Sequence, residues 1–296
     1  MDDELSRRYW DVPAEMIDTG TERIACRRIG SGPPLLLVHG FPLSGFTWRK
    51  VLPALAAHRT CFVPDLPGLG ESTWTDGTEW TFPGQARTLR RLVDRLGLER
   101  YAVLAQDTGG TFARLLALDD AARVERVVLI NTEIPHHRPP WIPLYQLLMT
   151  LPGAQAAFGV LMRSRWFLRS GMGFGGCFCD LDLLDGAFHA HVVQPLLRSP
   201  ARMDGLAHYL TGLAWEPVDA LATDHARLVM PVLLVWGADD PTFPIDRARA
   251  MVAQMPRARL VEIPGARLLV HEEKPTEVTR VVLNFFADEP VGGSRD

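Results

Sequence analysis

Six runs of near-continuous apolar residues punctuate the chain: "LLLVHG" (Leu35–Gly40), "TCFVPD" (Thr60–Asp65), "YAVLAQ" (Tyr101–Gln106), "RVVLIN" (Arg126–Asn131), "VLLVWG" (Val232–Gly237) and "ARLVEI" (Ala258–Ile263). Unbroken apolarity predicts buried strands covered on both faces, because a half-solvated strand alternates. Amphipathic segments at Thr81–Leu96 and Thr111–Leu118 have helical spacing. This β–α alternation predicts an α/β fold with a mostly parallel central sheet and helices on both faces. Glu15–Gly30 differs, with two polar-alternating arms around Thr19–Thr21 that predict an antiparallel hairpin at the sheet edge.

The strand rhythm stops near Ile134 and resumes at Pro231. From Ile134 to Asp224 the pattern is helical and rich in Pro, Trp, Phe and Met. We therefore expect residues 1–133 and 225–296 to form a core domain. Residues 134–224 form a helical cap, inserted after the sixth strand, over the sheet edge where ligands bind in this architecture. The tail Asp288–Asp296 is expected to fray.

Composition then excludes several classes. With 296 residues and a formal charge of −4, the chain has length for a buried core but no basic footprint for nucleic acid. Cys177 and Cys179 flank a single residue, a poor disulfide spacing, and no paired zinc-ligand motif accompanies them or Cys26 and Cys61. Free thiols, no metal and no cofactor are expected. "MDDELSRRYWD" has no apolar signal core, and no apolar run approaches a membrane span, so the expectation is a cytoplasmic protein without a membrane partner. Monomer and homodimer both remain open.

The candidate chemistry centres on "LAQDTGG" (Leu104–Gly110). Small residues at Ala105, Gly109 and Gly110 let a strand turn sharply into a helix and push the apex residue out above the sheet. Serine usually occupies such an apex; here it is Asp107. A carboxylate beside a helix N-terminus is expected to stay ionised, and it can either cap the helix or attack an sp³ carbon. "HGFP" (His39–Pro42) offers backbone N–H groups at and after Phe41 that, with the N–H of Thr108, can hold an oxyanion. "PDLPGLGES" (Pro64–Ser72) ends the next strand in tight turns.

These three motifs, in this order and spacing, resemble the α/β-hydrolase superfamily. Within it they resemble the aspartate-nucleophile branch of haloalkane dehalogenases and epoxide hydrolases. The resemblance spans residues 30–133 and 228–286 and implies the α/β-hydrolase fold, with Asp107 attacking a small hydrophobic substrate. It also implies that Asp240 of "WGADDPTFP" (Trp236–Pro244) orients a histidine, with Glu133 as an alternative acid. His39 is expected to be structural.

Departures from the family pattern are as informative. Thr108 stands where dehalogenases usually carry a halide-binding Trp, and Phe41 where a second donor often stands. Trp141, Trp166 and Trp215 are then the remaining indole donors of the cap, and Tyr145 and Tyr209 the candidates for donating to an epoxide oxygen. In "IPGARLLVHEEKP" (Ile263–Pro275), Leu268 occupies the position of the expected histidine. Leucine cannot activate water. His271, three residues on, is either a displaced base or a surface histidine at a helix start. Three functions remain open: an Asp107 hydrolase with an atypical or absent base, a non-hydrolytic isomerase, lyase or cyclase, and a catalytically silent ligand-binding protein.

Overall fold

The computed structural model describes residues 2–288. Its eight strands form one sheet in the order β1-β2-β4-β3-β5-β6-β7-β8. They are β1 (Glu15–Asp18), β2 (Arg23–Ile29), β3 (Pro34–Val38), β4 (Thr60–Pro64), β5 (Tyr101–Gln106), β6 (Val124–Ile130), β7 (Val232–Gly237) and β8 (Ala258–Ile263). From β4 to β8 every pairing is parallel, whereas β1 and β2 form the expected antiparallel hairpin at one edge. Of the tail expected to fray, all but Asp288 lies outside the described residues.

The two-residue strand period explains why the central runs are apolar throughout. Leu35 and Leu37 of β3 feed one core cluster, and Leu36 and Val38 feed the other. The first cluster packs Trp48, Val278 and Val282, and the second packs Leu89, Leu92, Phe112 and Leu116. β8 departs from the expectation of full burial: Arg259 and Glu262 are exposed. As the last strand of the sheet it has only β7 beside it, so part of its length faces water.

Between β6 and β7 the chain runs through six α-helices, from Trp141–Met149 to Glu216–Asp224, with no strand. None of the described helices is long and apolar enough to cross a membrane.

One buried ion pair ties this scaffold together. Arg49 donates to Glu272 Oε1 at 2.5 Å, both side chains being 1% exposed, and Arg49 also reaches Asp2 at 2.9 Å. Glu272→Gln leaves the buried guanidinium short of a charge partner, so we expect a loss of about 3 kcal/mol of stability. The check is a lower urea midpoint at unchanged slope; an unaltered midpoint shows that the pair contributes nothing.

Candidate active site

β5 delivers Asp107 to the apex of a sharp turn. Its backbone has φ 52° and ψ −132°, a strained conformation that aspartate tolerates better than most residues, and the helix Thr108–Asp119 follows at once. Two glycines make the turn possible. A Cβ on Gly109 would fall 2.4 Å from the His39 carbonyl, and one on Gly40 would fall 2.4 Å from the Asp107 Cβ. The peptide of Asp107 is held from below: its N–H donates to Asn131 O at 2.9 Å, and its carbonyl accepts from Thr132 Oγ1 at 2.8 Å.

The Asp107 carboxylate meets the loop after β3. Phe41 N–H donates to Oδ2 at 3.0 Å, and the N–H groups of Phe41 and Thr108 both favour its charge. Burial outweighs them. With the charges of Glu133 and Asp240 adding to it, burial lifts the Asp107 pKa well above its ordinary 3.8. This corrects the sequence expectation of a carboxylate kept ionised by the helix end: the strand ends bring like charges to it. His39, by contrast, is structural as expected. Its Nε2 accepts from Leu66 N–H at 2.9 Å, its Nδ1 lies 2.8 Å from Gly40 O, and burial pushes its pKa down to about 4.

Two further carboxylates stand near by. Glu133, just past β6, accepts from Thr111 Oγ1 at 2.6 Å and from Thr132 Oγ1 at 3.0 Å, and burial raises its pKa. Behind it, fully buried Arg114 donates to both of those hydroxyls and to the Glu133 carbonyl. Asp240 follows β7 and accepts from Asn131 Nδ2 and Thr242 N–H, each at 2.8 Å; burial lifts it to about 7.

A cavity of about 170 Å³ opens above Asp107, lined by Asp107, Thr108 and Glu133 from below and largely by apolar side chains of the inserted helices. Phe41, Trp141, Tyr145, Tyr209, Trp215 and Leu268 all line it, while Trp166 is 80% exposed and does not. The tyrosines correct a second expectation. Tyr145 OH donates to the Met172 carbonyl and Tyr209 OH to Gln85 Oε1, so neither is a free donor. Trp215 Nε1 is likewise engaged, with Gln146 Oε1 at 3.3 Å. Thr108 Oγ1 is buried and has no partner.

Leu268 reaches the cavity from a loop docked on the Asp240 segment, where Asp239 N–H donates to Ala266 O at 3.0 Å. His271 does not reach it. The structure overturns both sequence readings of this residue, displaced base and surface histidine. The ring is fully buried, 2.7 Å from Thr47 Oγ1 and packed on Trp48, and burial beside Arg49 and Lys50 holds its pKa at about 3. Among the described residues, none that lines the cavity is a histidine.

Cys177 is a polar member of the site that the sequence reading missed. It lines the cavity, and burial with nearby Asp240 and Asp107 raises its thiol pKa, keeping it neutral. No local signal marks it, since its place depends on the inserted segment folding back: its carbonyl accepts from Leu269 N–H at 3.2 Å.

The arrangement can therefore present a carboxylate oxygen to an apolar guest and stabilise charge on the other oxygen, with a second carboxylate, Glu133, in the same cavity. Comparison with known proteins gives a consistent picture. The alpha/beta hydrolase fold family matches residues 33–275. "Haloalkane dehalogenase 2" of Mycobacterium tuberculosis is 29% identical over 287 residues, covering 94% of this chain and 96% of the relative. The "Soluble epoxide hydrolase" of Corynebacterium sp. is 31% identical over 271 residues, covering 87% and 91%. The solved structure of epoxide hydrolase CorEH superposes with a TM-score of 0.77 at 27% identity, over 93% of this chain and 99% of that one.

Proposed function

The chain belongs to the alpha/beta hydrolase fold family, and from that premise we propose that it acts on a small apolar molecule by attack of Asp107 on an sp³ carbon, without a histidine base. The observation that carries this reading is the seating of Asp107. One oxygen, Oδ2, is engaged by the Phe41 N–H, while the carboxylate lines an apolar cavity that also contains Leu268. The other oxygen, Oδ1, forms the bond to carbon as the carbon–halogen or epoxide carbon–oxygen bond breaks. The unpartnered Thr108 hydroxyl is the donor for the departing halide or oxygen. The helices of residues 134–224 act as a cap that excludes water, and the reading draws support from dehalogenase and epoxide hydrolase relatives.

The product of this step is an ester on Asp107. Its hydrolysis is slow because leucine cannot deprotonate water. The test is a panel of epoxides and alkyl halides, followed by intact mass and product release. An adduct mapping to Asp107, with slow product release, supports the reading; neither adduct nor product from any member overturns it.

Attack needs the ionised carboxylate, which sets the sign of the pH dependence. Because the Asp107 pKa is raised, adduct formation increases about tenfold per pH unit until it levels off well above the ordinary aspartate value of 3.8. A plateau already reached near that ordinary value contradicts the burial argument.

A second reading rests on the same raised pKa. A protonated Asp107 can donate a proton to an epoxide or alkene in an isomerisation or cyclisation, with no ester formed. It predicts rearranged product without any mass adduct and a rate that falls, rather than rises, with pH.

A further inference from the structure

We propose that Glu133 is the general base that hydrolyses the Asp107 ester, doing directly from the end of β6 what no histidine of the cavity does. This rests on the reading of Asp107 as the attacking group. The geometry that supports it is threefold. Glu133 lines the same cavity as Asp107. The two are joined through one side chain, since Thr132 Oγ1 lies 2.8 Å from the Asp107 carbonyl and 3.0 Å from Glu133 Oε2. Finally, Glu133 is oriented: Oε2 takes the Thr111 and Thr132 hydroxyls, and Arg114 backs both of them.

The surroundings suit a base. Among the described residues no basic side chain bonds directly to the Glu133 carboxylate; Arg114 Nη2 donates to the Glu133 carbonyl at 2.8 Å and to the two hydroxyls beside the carboxylate. A direct ion pair would suppress its basicity; here burial raises the Glu133 pKa against the lowering pull of the Thr111 hydroxyl and the Arg114 charge. The charged and titratable groups around it are Asp107, Arg114 and, through Arg114, His225 at 3.2 Å.

Water attacks Cγ of the Asp107 ester and gives one proton to Glu133, while the N–H groups of Phe41 and Thr108 hold the resulting oxyanion. The Cγ–O bond to the substrate carbon skeleton then breaks, and the departing alkoxide takes the proton from Glu133. The alcohol product, a protonated Asp107 and an ionised Glu133 remain, and Asp107 returns its proton to solvent.

Glu133→Gln keeps an acceptor for the two threonine hydroxyls but cannot take the proton. With a substrate that gives an adduct on the wild type, the variant should form the adduct at a similar rate and lose it about 100-fold more slowly. Thermal unfolding checks that the fold persists; if Glu133→Gln does not fold, Glu133→Asp takes its place, with slowed but measurable decay expected. Adduct decay in the wild type should rise with pH as Glu133 ionises, and that dependence should vanish in Glu133→Gln, which a merely structural role for Glu133 does not predict. Decay at the wild-type rate in folded Glu133→Gln overturns the proposal, as does a wild-type adduct that never decays. If the wild type forms no adduct, the Asp107 reading falls at the earlier step, and this one falls with it.

Discussion

Asp107→Asn removes the mass adduct altogether and lowers product formation by at least about 10³-fold, the scale expected when a covalent nucleophile is lost. The substitution is a clean one. Asparagine tolerates the positive φ of 52° better than most residues and retains an oxygen for the Phe41 N–H. It also removes a buried carboxylate that Glu133 and Asp240 oppose. A carboxyl group whose pKa is raised on folding costs stability at pH values above its unfolded pKa, so the variant should melt at the same temperature or higher at neutral pH. Full turnover in Asp107→Asn, verified by mass to be free of deamidation, removes Asp107 from the chemistry. Lost turnover accompanied by unfolding is resolved by circular dichroism and by retention of ligand-induced stabilisation.

Leu268→His is the complementary gain. Leu268 lines the cavity with Asp107, and its loop rests on the segment that carries Asp240. An imidazole there gains a carboxylate, which burial alone now holds at about 7 and which an adjacent imidazolium draws down. We expect ester breakdown to accelerate by about 10²-fold or more, in line with a positioned general base. The formation rate should change little, because that step precedes the base. Placing a polar ring among apolar neighbours costs about 1–2 kcal/mol, visible as a lower melting temperature. Single-turnover decay of the adduct in Leu268→His against the wild type is the measurement. No acceleration in a folded variant separates Leu268 from the position of the base.

The outcome for individual residues shows which inferences a sequence supports. Asp107 was legible because its signal is local: apolar strand, polar apex and two glycines within seven residues force one backbone geometry whatever lies around them. The donor at Phe41 was legible for the same reason. His271 was not. It stands three residues after Leu268, but Leu269 between them has φ −97° and ψ 49°, and the short helix Val270–Glu273 begins only after it. The side chain then packs on Thr47 and Trp48, more than two hundred residues earlier. Tyr145 and Tyr209 line the cavity, but the fate of their hydroxyls depends on Met172 and Gln85, which no spacing rule connects to them.

By itself the sequence determined the α/β alternation, the edge hairpin, the apex at Asp107 and the helical insertion between two strands, since apolar period and turn chemistry act over a few residues. Only the tertiary structure decided the raised pKa values of the site's carboxylates and the lining of the cavity. Asp107, Glu133 and Asp240 leave three different strands, and their mutual repulsion exists only once the parallel sheet aligns those strand ends and burial removes the water that would screen them.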